Sequence, residues 1–581
     1  MANLYRNFAE VMLARAAEDG GRDALVLLGE EREDETRRAP ETVSYGELDR
    51  SARALAGWLQ DKGAAGERVL VLQNSRRLFA VSFLACLYAG AIAVPAPPPG
   101  GRVHHDERVA SIVKDAAVSL ALTSAAEAPE VSRLMARTGY GHVGCVAVDA
   151  LAYTEDHWRA PDLDGRTTAF LQYTSGSTRE PRGVVVTHGN LLDNQQAISR
   201  ALGTRPRSRL GGWLPFHHDM GLVGQLLHPL WLGGTSVLLT PTAFVKRPIS
   251  WLRAISRYRI AVSGAPDFAY DLCLRRVSEE QAADLDLSCW EVAVNGGEPV
   301  RASTMAAFAE RFAPAGLRPE ALTPCYGLAE STLLVAGGGP GRADRAVDPA
   351  ALERHRLRPP RPGGPVRTVV DCGSAVAGGE LRIVDPDGGA VLPDGRVGEI
   401  WYRGPGVAPG YFGRPRESVA AFGHDGFLRT GDLGTLDEGR LYVTGRLKDV
   451  IVVAGRNLYP DDLEHTVQRV SALFGSGSAF AVPGAPDSPE RVVVVQELRS
   501  RSRYDIDMPA LTAAVQQCLA DEFDIRAAAV LLVRPGTVRR TTSGKVERAA
   551  MRGLFLRGEI DPLHQDTDPD VGALLTTGGR K

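Results

Sequence analysis

A loop rich in hydroxyl groups is the segment best suited to chemistry. An apolar run at residues 170–173 is followed by Thr174, Ser175, Gly176, Ser177 and Thr178, and then by Arg179 and Arg182. Glycine lets the backbone approach a ligand, hydroxyl and amide groups donate to phosphate oxygens, and arginine supplies positive charge. The Walker A pattern GxxxxGK[ST] is absent, so the segment predicts a phosphate-binding loop of another kind. Taken alone, it fits a polar turn equally well.

Three further motifs place aromatic, acidic and basic side chains next to glycine. They are residues 326–330 (YGLAE), residues 428–433 (LRTGDL) with residues 444–449 (TGRLKD), and residues 540–548 (RTTSGKVER). An aromatic ring beside glycine can lie flat on a purine, and Glu330 can hold Mg²⁺. Asp432 can accept both hydroxyls of a ribose, and Arg446 can brace phosphate or ribose. Lys545 can be carried into a site as a mobile cation. Each motif alone also fits a solvated turn or a core aromatic.

Layers of helices and strands must bring these motifs together. The first 150 residues alternate helix and strand: Ser44 with Glu47 predicts a capped helix start, and residues 69–72 predict a buried parallel strand. We therefore predict an α/β protein with a large N-terminal domain of layered α/β subdomains. The pattern of predicted helices and strands changes after Arg446. A small α+β domain is predicted there by a helix at 461–470, a strand at 492–495, a helix at 511–523 and a strand at 530–533.

Composition changes twice more along the chain. Residues 337–364 are rich in Gly and Pro, with a short helical piece at 352–356, and we expect them to leave the core. Turn-rich strands follow at 381–384, 399–402 and 441–443. Residues 559–581 are rich in Asp, Gly and Thr, and we expect a disordered tail.

Composition excludes several classes of protein. In 581 residues, 44% are hydrophobic and 24% are charged, which excludes disorder over most of the length. Lys and Arg number 67 against 70 Asp and Glu, so no global basic field exists for nucleic acid or an anionic membrane. The seven cysteines include no CxxC pair, which disfavours a disulfide framework or zinc knuckle and favours a reducing, cytoplasmic setting.

Two apolar segments need a separate interpretation. Residues 1–20 carry Glu10, Glu18 and Asp19 and read as an amphipathic helix rather than a secretory signal. The uncharged stretch at residues 78–95 approaches the length of a membrane span. Because Gly90 interrupts it and prolines follow, we predict a buried helix, a glycine stop and a short buried strand.

In this order, the four motifs resemble the adenylate-forming (ANL) superfamily, which contains acyl-CoA synthetases, adenylation domains and firefly-type luciferases. The resemblance covers roughly residues 8–558. Five segments resemble fatty acyl-AMP ligases more narrowly: residues 213–222 (WLPFHHDMGL), 263–273 (SGAPDFAYDLC), 295–301 (NGGEPVR), 456–460 (RNLYP) and 543–548 (SGKVER). Residues 337–364 lie where those ligases carry an extra segment, which the family associates with poor use of coenzyme A.

The resemblance implies the ANL fold and a two-step reaction. Residues 1–446 would form the adenylation domain and residues 447–558 a mobile C-terminal lid domain. A fatty carboxylate would attack the α-phosphorus of ATP, giving acyl-adenylate and pyrophosphate. The acyl group would then pass to the phosphopantetheine thiol of a separate acyl carrier protein, in a polyketide or nonribosomal peptide pathway. ATP and Mg²⁺ are expected, without a tightly bound organic cofactor, nucleic acid or membrane insertion.

The resemblance also assigns roles by position. ATP and AMP would be bound by Thr174, Ser175, Gly176, Ser177, Thr178, Arg182, Gly296, Gly297, Glu298, Tyr326, Gly327, Leu328, Ala329, Asp432 and Arg446. The acyl pocket would be lined by His218, Asp219, Met220, Gly264, Phe268 and Ala269. Glu330 would bind Mg²⁺, Lys545 would bridge carboxylate and phosphate, and Lys448 would be the hinge. Lys545, Glu330 and His218 are the expected catalytic residues.

Five residues, at three sites, call for comment. The usual phosphate loop reads STGxPKG, whereas Arg179 replaces the glycine and Arg182 the lysine; some acyl-AMP ligases share this form, and we expect activity to survive. Asp267 stands where Asn is common, and would either favour a polar acyl substrate or be solvated at the pocket rim. His217 and His218, taken as strand neighbours, would point to opposite faces, so no transition-metal site is expected.

Three alternatives remain open at this point. An acyl-CoA synthetase would differ by using free coenzyme A productively. An aryl- or amino-acid-adenylating enzyme would use Asp219 differently, to face an amine. A degenerate binding homologue is suggested by Arg179 and Arg182, although the retention of Lys545, Asp432 and Glu330 argues against it.

Overall fold

The structure is a computed structural model. It describes residues 5–29, 39–99, 103–174, 181–338, 342–453, 456–483, 490–499, 506–541, 544–569 and 571, without the side chains of residues 103–105. Its strands form a nine-stranded sheet, a six-stranded sheet, two four-stranded sheets and two hairpins. Helices pack between and around the strands, so the architecture is the mixed α/β one that the sequence predicts.

The six-stranded sheet belongs to the first part of the chain. The elements here are α1 (Phe8–Asp19), β1 (Asp23–Leu27), β2 (Glu41–Ser44), α2 (Tyr45–Asp61), β3 (Arg68–Val71), α3 (Arg76–Ala89), β4 (Ile92–Pro95), α4 (Val103–Ala116), β5 (Leu120–Thr123), α5 (Ala128–Arg137), β6 (Gly144–Ala147), β7 (Thr168–Tyr173) and β8 (Gly183–Thr187). The order is β6-β5-β3-β4-β7-β8, parallel except for β8. Ser44 caps α2, and Gly90 ends α3 with φ of 71°. The uncharged stretch is therefore the predicted buried helix, glycine stop and strand.

The nine-stranded sheet is built mostly from the next part. Its elements are α6 (His188–Leu202), β9 (Arg209–Gly212), a π-helix (Met220–Leu227), α7 (His228–Trp231), β10 (Thr235–Leu238), α8 (Pro241–Lys246), α9 (Ile249–Tyr258), β11 (Val262–Ala265), α10 (Asp267–Arg276), α11 (Glu279–Ala283), β12 (Val292–Asn295), α12 (Ala302–Phe312), β13 (Leu322–Gly327) and β14 (Leu334–Gly337). Strands β13, β12, β11, β9, β10 and β1 run parallel in that order. Their carboxyl ends therefore meet at one edge, where ligands bind in open α/β sheets.

A four-stranded antiparallel sheet follows. Its part of the chain contains β15 (Arg345–Val347), α13 (Pro349–Leu352), β16 (Arg367–Val369), β17 (Ser374–Ala375), β18 (Glu380–Val384), β19 (Gly398–Arg403), α14 (Pro415–Phe422), β20 (Leu428–Asp437) and β21 (Arg440–Arg446). Strands β18 to β21 form the sheet, while β17 and β14 extend the nine-stranded sheet at one edge. The strands predicted at 381–384, 399–402 and 441–443 are all present.

The Gly/Pro-rich segment packs differently from the prediction. The helix lies at Pro349–Leu352, not at residues 352–356, because Asp348 caps it and Pro349 fits its first turn. Val347 and Leu352 are each 1% exposed and pack with Leu433, Tyr442 and Tyr459. The described part of the segment is therefore folded against β20 and β21 rather than projecting from the core.

The last part of the chain forms a smaller α+β unit. It contains β22 (Ile451–Val453), β23 (Arg456–Leu458), α15 (Pro460–Arg469), β24 (Phe474–Val482), β25 (Arg491–Leu498), α16 (Met508–Phe523), β26 (Ala529–Val533), α17 (Arg548–Leu556) and β27 (Pro562–Thr567). The predicted helices and strands are present here. The expectation of disorder from residue 559 is wrong for β27, which pairs antiparallel with β26 and completes the sheet β24-β25-β26-β27.

Ion pairs join this smaller unit to the rest of the protein. Arg456 contacts Glu353 at 2.8 Å, and Arg367 contacts Asp462 at 2.5 Å. His465 on α15 lies 3.4 Å from Arg301 at the start of α12. Among the described residues, each helix is too short or too polar to cross a bilayer.

Candidate active site

One cavity of about 890 Å³ collects most of the residues singled out from the sequence. It lies at the carboxyl ends of strands from both large sheets and is closed by β20, β21 and the loop before α17. Its lining includes Thr174, Arg182, His218, Asp219, Met220, Gly264, Phe268, Gly296, Gly297, Tyr326, Gly327, Leu328, Ala329, Glu330, Asp432, Arg446, Lys448 and Lys545. Segments more than 370 residues apart in the chain, from Thr174 to Lys545, therefore face one space.

The hydroxyl-rich loop is only partly described. Ser175, Gly176, Ser177 and Thr178 lie outside the described residues, as does Arg179. Thr174 directly follows β7, and its N–H donates to the carbonyl of Arg182 at 3.3 Å. The Arg182 guanidinium lies over the ring of Tyr411 at 5.4 Å, and its Nε is 2.8 Å from Oε2 of Glu417. Arg182, which is expected to hold phosphate, is thus paired with the carboxylate of Glu417 on α14.

Asp432 is held by two neighbours. Strands β20 and β21 place it opposite Arg446, whose Nε is 3.1 Å from Oδ1. The Tyr326 hydroxyl donates to Oδ2 at 2.8 Å. Burial raises the pKa of Tyr326 well above its ordinary value, and Asp432 adds to that rise, so the phenol stays a hydrogen-bond donor. The arrangement fixes the carboxylate at the cavity wall, where its remaining lone pairs can accept hydroxyl groups.

Glu330 sits in a short 3₁₀ turn directly after β13. Its Oε1 accepts a hydrogen bond from the Tyr411 hydroxyl at 2.9 Å. Burial raises the pKa of Glu330, and the nearby Asp219 contributes to the rise. Two carboxylates in one cavity wall repel each other, and a cation between them would relieve that repulsion. Oxygen ligands of this kind suit Mg²⁺. Among the described residues, no group of three or more His, Cys, Asp and Glu side chains is arranged so that it could hold a metal ion by itself.

Lys545 reaches the cavity from the smaller unit. Gly544 precedes it with φ of 90°, and a Cβ there would lie 3.1 Å from Cε1 of Phe268, so glycine permits this close approach. Burial lowers the pKa of Lys545, and Arg446 lowers it further, while Asp219, Asp432 and Glu298 oppose the shift. The ammonium group therefore lies among cavity carboxylates contributed by the large domain.

His217 and His218 correct one expectation. They lie in a turn after β9, not on a strand, so the alternation of strand side chains does not apply. Their rings are on the same side, with centroids 4.5 Å apart. Gln172 fixes this turn by donating to the His217 carbonyl at 2.9 Å. His218 lines the cavity next to Asp219, whose Oδ1 accepts the Met220 N–H at 2.7 Å.

Two predicted residues do not line the cavity. Ala269 is fully buried in a hydrophobic cluster beneath α10, because Phe268 takes the cavity-facing position. Glu298 is not among the residues that line the cavity, although its charge acts on Lys545, and its Oε1 accepts the Phe268 N–H at 2.6 Å. Burial raises the pKa of Glu298 to about 7. The hydrogen bond to Glu298 holds the backbone of Phe268 at the start of α10.

Asp267 is neither a pocket-rim nor a solvated residue. It is 1% exposed, and its Oδ2 lies 2.6 Å from Nε of Arg301. Asn295 and Thr304 donate to the same carboxylate at 3.1 and 3.2 Å. Its charge is satisfied inside the protein, so it provides no polar contact for an acyl chain.

An apolar arm of the cavity was missed by sequence reasoning. It is lined by Ile198, Leu202, Leu210, Gly224, Val262, Leu333 and Leu334. The π-helix contributes Gly224, and such helices are frequent at functional sites. Polar residues beside the arm are satisfied: Gln225 donates to the Gly264 carbonyl at 2.8 Å, and His228 contacts Gln195 and Thr204. No sequence signal distinguishes these apolar residues from ordinary core residues. Only Gly221 and Gly224 of the π-helix, which lack side chains, could have indicated a cavity.

Comparisons with known proteins show the family of the chain. A family model described as AMP-binding enzyme matches residues 13–412. The chain is 39% identical over 537 residues to the medium-chain-fatty-acid–[acyl-carrier-protein] ligase JamA of Moorena producens, covering 90% of this chain and 91% of that protein. It is 37% identical over 548 residues to a 4-hydroxyphenylalkanoate adenylyltransferase of Mycobacterium tuberculosis, covering 90% and 88%. A solved fatty acyl-adenylate ligase of L. pneumophila, in complex with acyl adenylate and pyrophosphate, aligns with a TM-score of 0.74 at 33% identity, over 97% and 98% of the chains.

Proposed function

The chain belongs to the AMP-binding enzyme family, in its fatty acyl-AMP ligase branch, and we propose that it activates a medium-chain fatty acid with ATP for transfer to a separate acyl carrier protein. It has the fold of adenylate-forming enzymes and is a ligase. One observation carries the substrate assignment: the cavity joins the Asp432, Arg446 and Lys545 cluster to an apolar arm. The first part suits a nucleotide, and the second suits an unsubstituted alkyl chain.

The first half-reaction joins two anions. A carboxylate oxygen attacks the α-phosphorus of ATP, the bond to pyrophosphate breaks, and acyl-adenylate forms. Lys545 stabilises the charge that develops between carboxylate and phosphate, since it lies in the cavity as a buried cation. Asp432 accepts the ribose hydroxyls, Arg446 holds Asp432 in place, and Tyr326 lies against the adenine. Gly296, Gly297, Gly327, Leu328 and Ala329 line the nucleotide part of the cavity.

The phosphates and the metal have separate ligands. Thr174 and Arg182 hold the β- and γ-phosphates together with the loop residues 175–178. Glu330 would hold Mg²⁺, which fits because its carboxylate is buried and shares the cavity wall with the negative charge of Asp219. When bound, Mg²⁺ neutralises phosphate charge. His218, Met220, Gly264 and Phe268 surround the carboxylate end of the acyl chain.

The second half-reaction requires a change of domain position. We assign residues 1–446 to the adenylation domain and residues 447–558 to a lid that rotates about Lys448, removing Lys545 from the site. The phosphopantetheine thiol then attacks the acyl carbonyl carbon as its proton leaves to solvent. A carbon–sulfur bond forms, the mixed anhydride bond breaks, and AMP departs. The name of the relative JamA supports a carrier protein as the acceptor.

Product mass spectrometry tests the proposal. Purified protein is incubated with ATP, Mg²⁺ and C2 to C18 acids, including 4-hydroxyphenylalkanoates. Parallel reactions contain coenzyme A, or one of a panel of holo-acyl carrier proteins. Medium-chain acyl-AMP that is consumed by a holo-carrier and spared by coenzyme A supports the proposal. Rapid conversion to acyl-CoA would place the protein among the acyl-CoA synthetases. A preference for 4-hydroxyphenylalkanoates would move the substrate to an aryl class.

A further inference from the structure

Asp432, to which we assign the ribose hydroxyls, lies in a bulge of β20. On β19 a single residue lies between Glu399 and Trp401, whereas on β20 residues 430–432 lie between their two partners. The bulge therefore leaves the regular ladder of hydrogen bonds, and Gly431 adopts φ of 70°. A bulge re-aims a side chain, and its backbone needs other hydrogen-bond partners to keep one conformation.

Glu399 supplies the acceptor that this bulge requires. Its Oε1 accepts the Gly431 N–H at 3.1 Å, and its Oε2 accepts Nε1–H of Trp401 at 2.9 Å and Nε–H of Arg429 at 3.0 Å. Because each of these groups is a donor, only a carboxylate, with acceptors on both oxygens, satisfies them together. An amide in its place would turn an NH₂ group toward at least one N–H donor.

Thr430 holds the other side of the bulge. Its hydroxyl donates to the Ile400 carbonyl at 2.7 Å and accepts the Asp432 N–H at 3.1 Å. The Gly431 carbonyl accepts the N–H of Leu447 at 2.9 Å, which ties the bulge to the segment after β21. The position of the Asp432 carboxylate at the cavity wall therefore depends on the contacts of the two residues before it.

We propose that Glu399 and Thr430 are positioning residues for the nucleotide, because they fix the bulge from which Asp432 meets the ribose hydroxyls. Glu399 also lines the cavity, but protein N–H groups engage both of its oxygens, so it acts through Asp432 rather than on the substrate. The inference rests on the proposed function, since it takes Asp432 to accept the ribose hydroxyls of ATP.

Discrimination between ATP and 2′,3′-dideoxyATP tests the inference. The analogue keeps the adenine and the triphosphate and lacks both ribose hydroxyls. The kcat/KM for each nucleotide is measured by pyrophosphate release at a saturating concentration of the preferred fatty acid, and each variant is checked for folding by its melting temperature. The variants are Glu399→Gln, Thr430→Val, Asp432→Asn and the double variant Glu399→Gln/Asp432→Asn.

Asp371→Asn is the matched control. Asp371 and Glu399 are each 2% exposed. Asp371 accepts the Gly373 N–H at 2.8 Å and lies 2.5 Å from Nε of Arg440, so it also joins a glycine N–H to an arginine. It does not line the cavity. Its substitution should lower the melting temperature, as Glu399→Gln does, and leave the discrimination between the two nucleotides as in the wild type.

The expected result separates ribose recognition from general damage to the fold. Glu399→Gln should lower kcat/KM for ATP roughly tenfold and kcat/KM for the analogue by no more than about twofold, because only ATP uses the Asp432 contact. Thr430→Val should act in the same direction by about threefold, since it loses neutral hydrogen bonds. The double variant should discriminate as Asp432→Asn does, because residues that act through one group are not additive.

Two results with folded Glu399→Gln would overturn the inference: discrimination equal to that of the wild type, or an equal loss for both nucleotides. If Glu399→Gln does not fold, unchanged discrimination in Thr430→Val would overturn it. If the wild type forms acyl-AMP and Asp432→Asn keeps full discrimination, the ribose assignment of Asp432 is wrong and the inference fails with it. A wild type that forms no acyl-AMP from any acid would contradict the proposed function instead.

Discussion

The pairing of Arg182 with Glu417 makes a specific prediction about ATP binding. Arg182 stands where the family carries a lysine for phosphate, yet its Nε lies 2.8 Å from a Glu417 oxygen. Glu417 therefore competes with ATP phosphate for the guanidinium of Arg182. None of the residues of α14, which carries Glu417, is buried, so the helix can shift at small cost. Glu417→Gln should remove this competition and tighten ATP binding.

The structure sets the size of the effect. The two side chains are 29% and 36% exposed, so the pair is partly screened by solvent. Pairs of this kind contribute about 0.5–1 kcal/mol. Since about 1.4 kcal/mol is a tenfold change in an equilibrium constant, KM for ATP should fall roughly two- to fivefold. The kcat should change little, because Arg182 makes the same contact with phosphate in the wild type and in the variant once ATP is bound.

ATP–pyrophosphate exchange at saturating fatty acid measures this directly. Glu380→Gln is the matched control, since Glu380 pairs with Arg382 and Arg403 on the surface and does not line the cavity. A KM for ATP that is unchanged would show that Glu417 does not compete with phosphate. A KM that rises would show that Glu417 instead orients Arg182 for phosphate, and the reasoning would be wrong.

Three other substitutions give independent tests. Lys545→Ala should slow acyl-AMP formation by about 10²–10³-fold, as removal of a transition-state donor does. Thiolysis of preformed acyl-AMP by pantetheine should persist. An equal loss of both steps would contradict the role of Lys545 in adenylation. Gly224→Leu should shift the preferred acid to shorter chains. A Cβ at this position would contact only Leu333, at 3.5 Å, and a longer side chain would fill the apolar arm. Competition among C6 to C16 acids measures this shift. The pKa of Glu298 is 4.5 in the unfolded chain and about 7 in the folded protein. Between these two values the unfolded chain has already lost the proton that the folded protein keeps. The free energy of unfolding therefore falls as the pH rises from about 4.5 to about 7. Glu298→Gln, which keeps the acceptor, should therefore have a melting temperature close to wild type at pH 5 and above it at pH 8; the reverse order would refute this assignment.

Local sequence patterns predicted much of the framework. The run ending at Gly90 behaves as expected because a buried helix, a left-handed glycine stop and an apolar strand are each determined by neighbouring residues. The same holds for α15 and β25 in the smaller unit. The order of the motifs identified the cavity wall, since Tyr326, Asp432 and Lys545 do face one space.

Features that depend on distant partners could not be predicted in this way. Asp267 looked like a rim residue until the fold placed Arg301 beside it. Strand β27 has no strong apolar pattern and forms because β26 offers an unpaired edge. The turn at His217 and His218 depends on Gln172, 45 residues earlier. The apolar arm is invisible in sequence because its residues differ from core residues only in facing a cavity.

Isotope transfer tests the central claim most directly. A medium-chain acid labelled with ¹⁸O in both carboxyl oxygens is turned over with ATP and Mg²⁺, with hydroxylamine as the acceptor so that no carrier protein is needed. Attack of the carboxylate on the α-phosphorus predicts AMP that carries one ¹⁸O, unlabelled pyrophosphate and an acyl hydroxamate that retains the other label. Formation of ADP with labelled inorganic phosphate, or of unlabelled AMP, would contradict adenylation of the fatty acid.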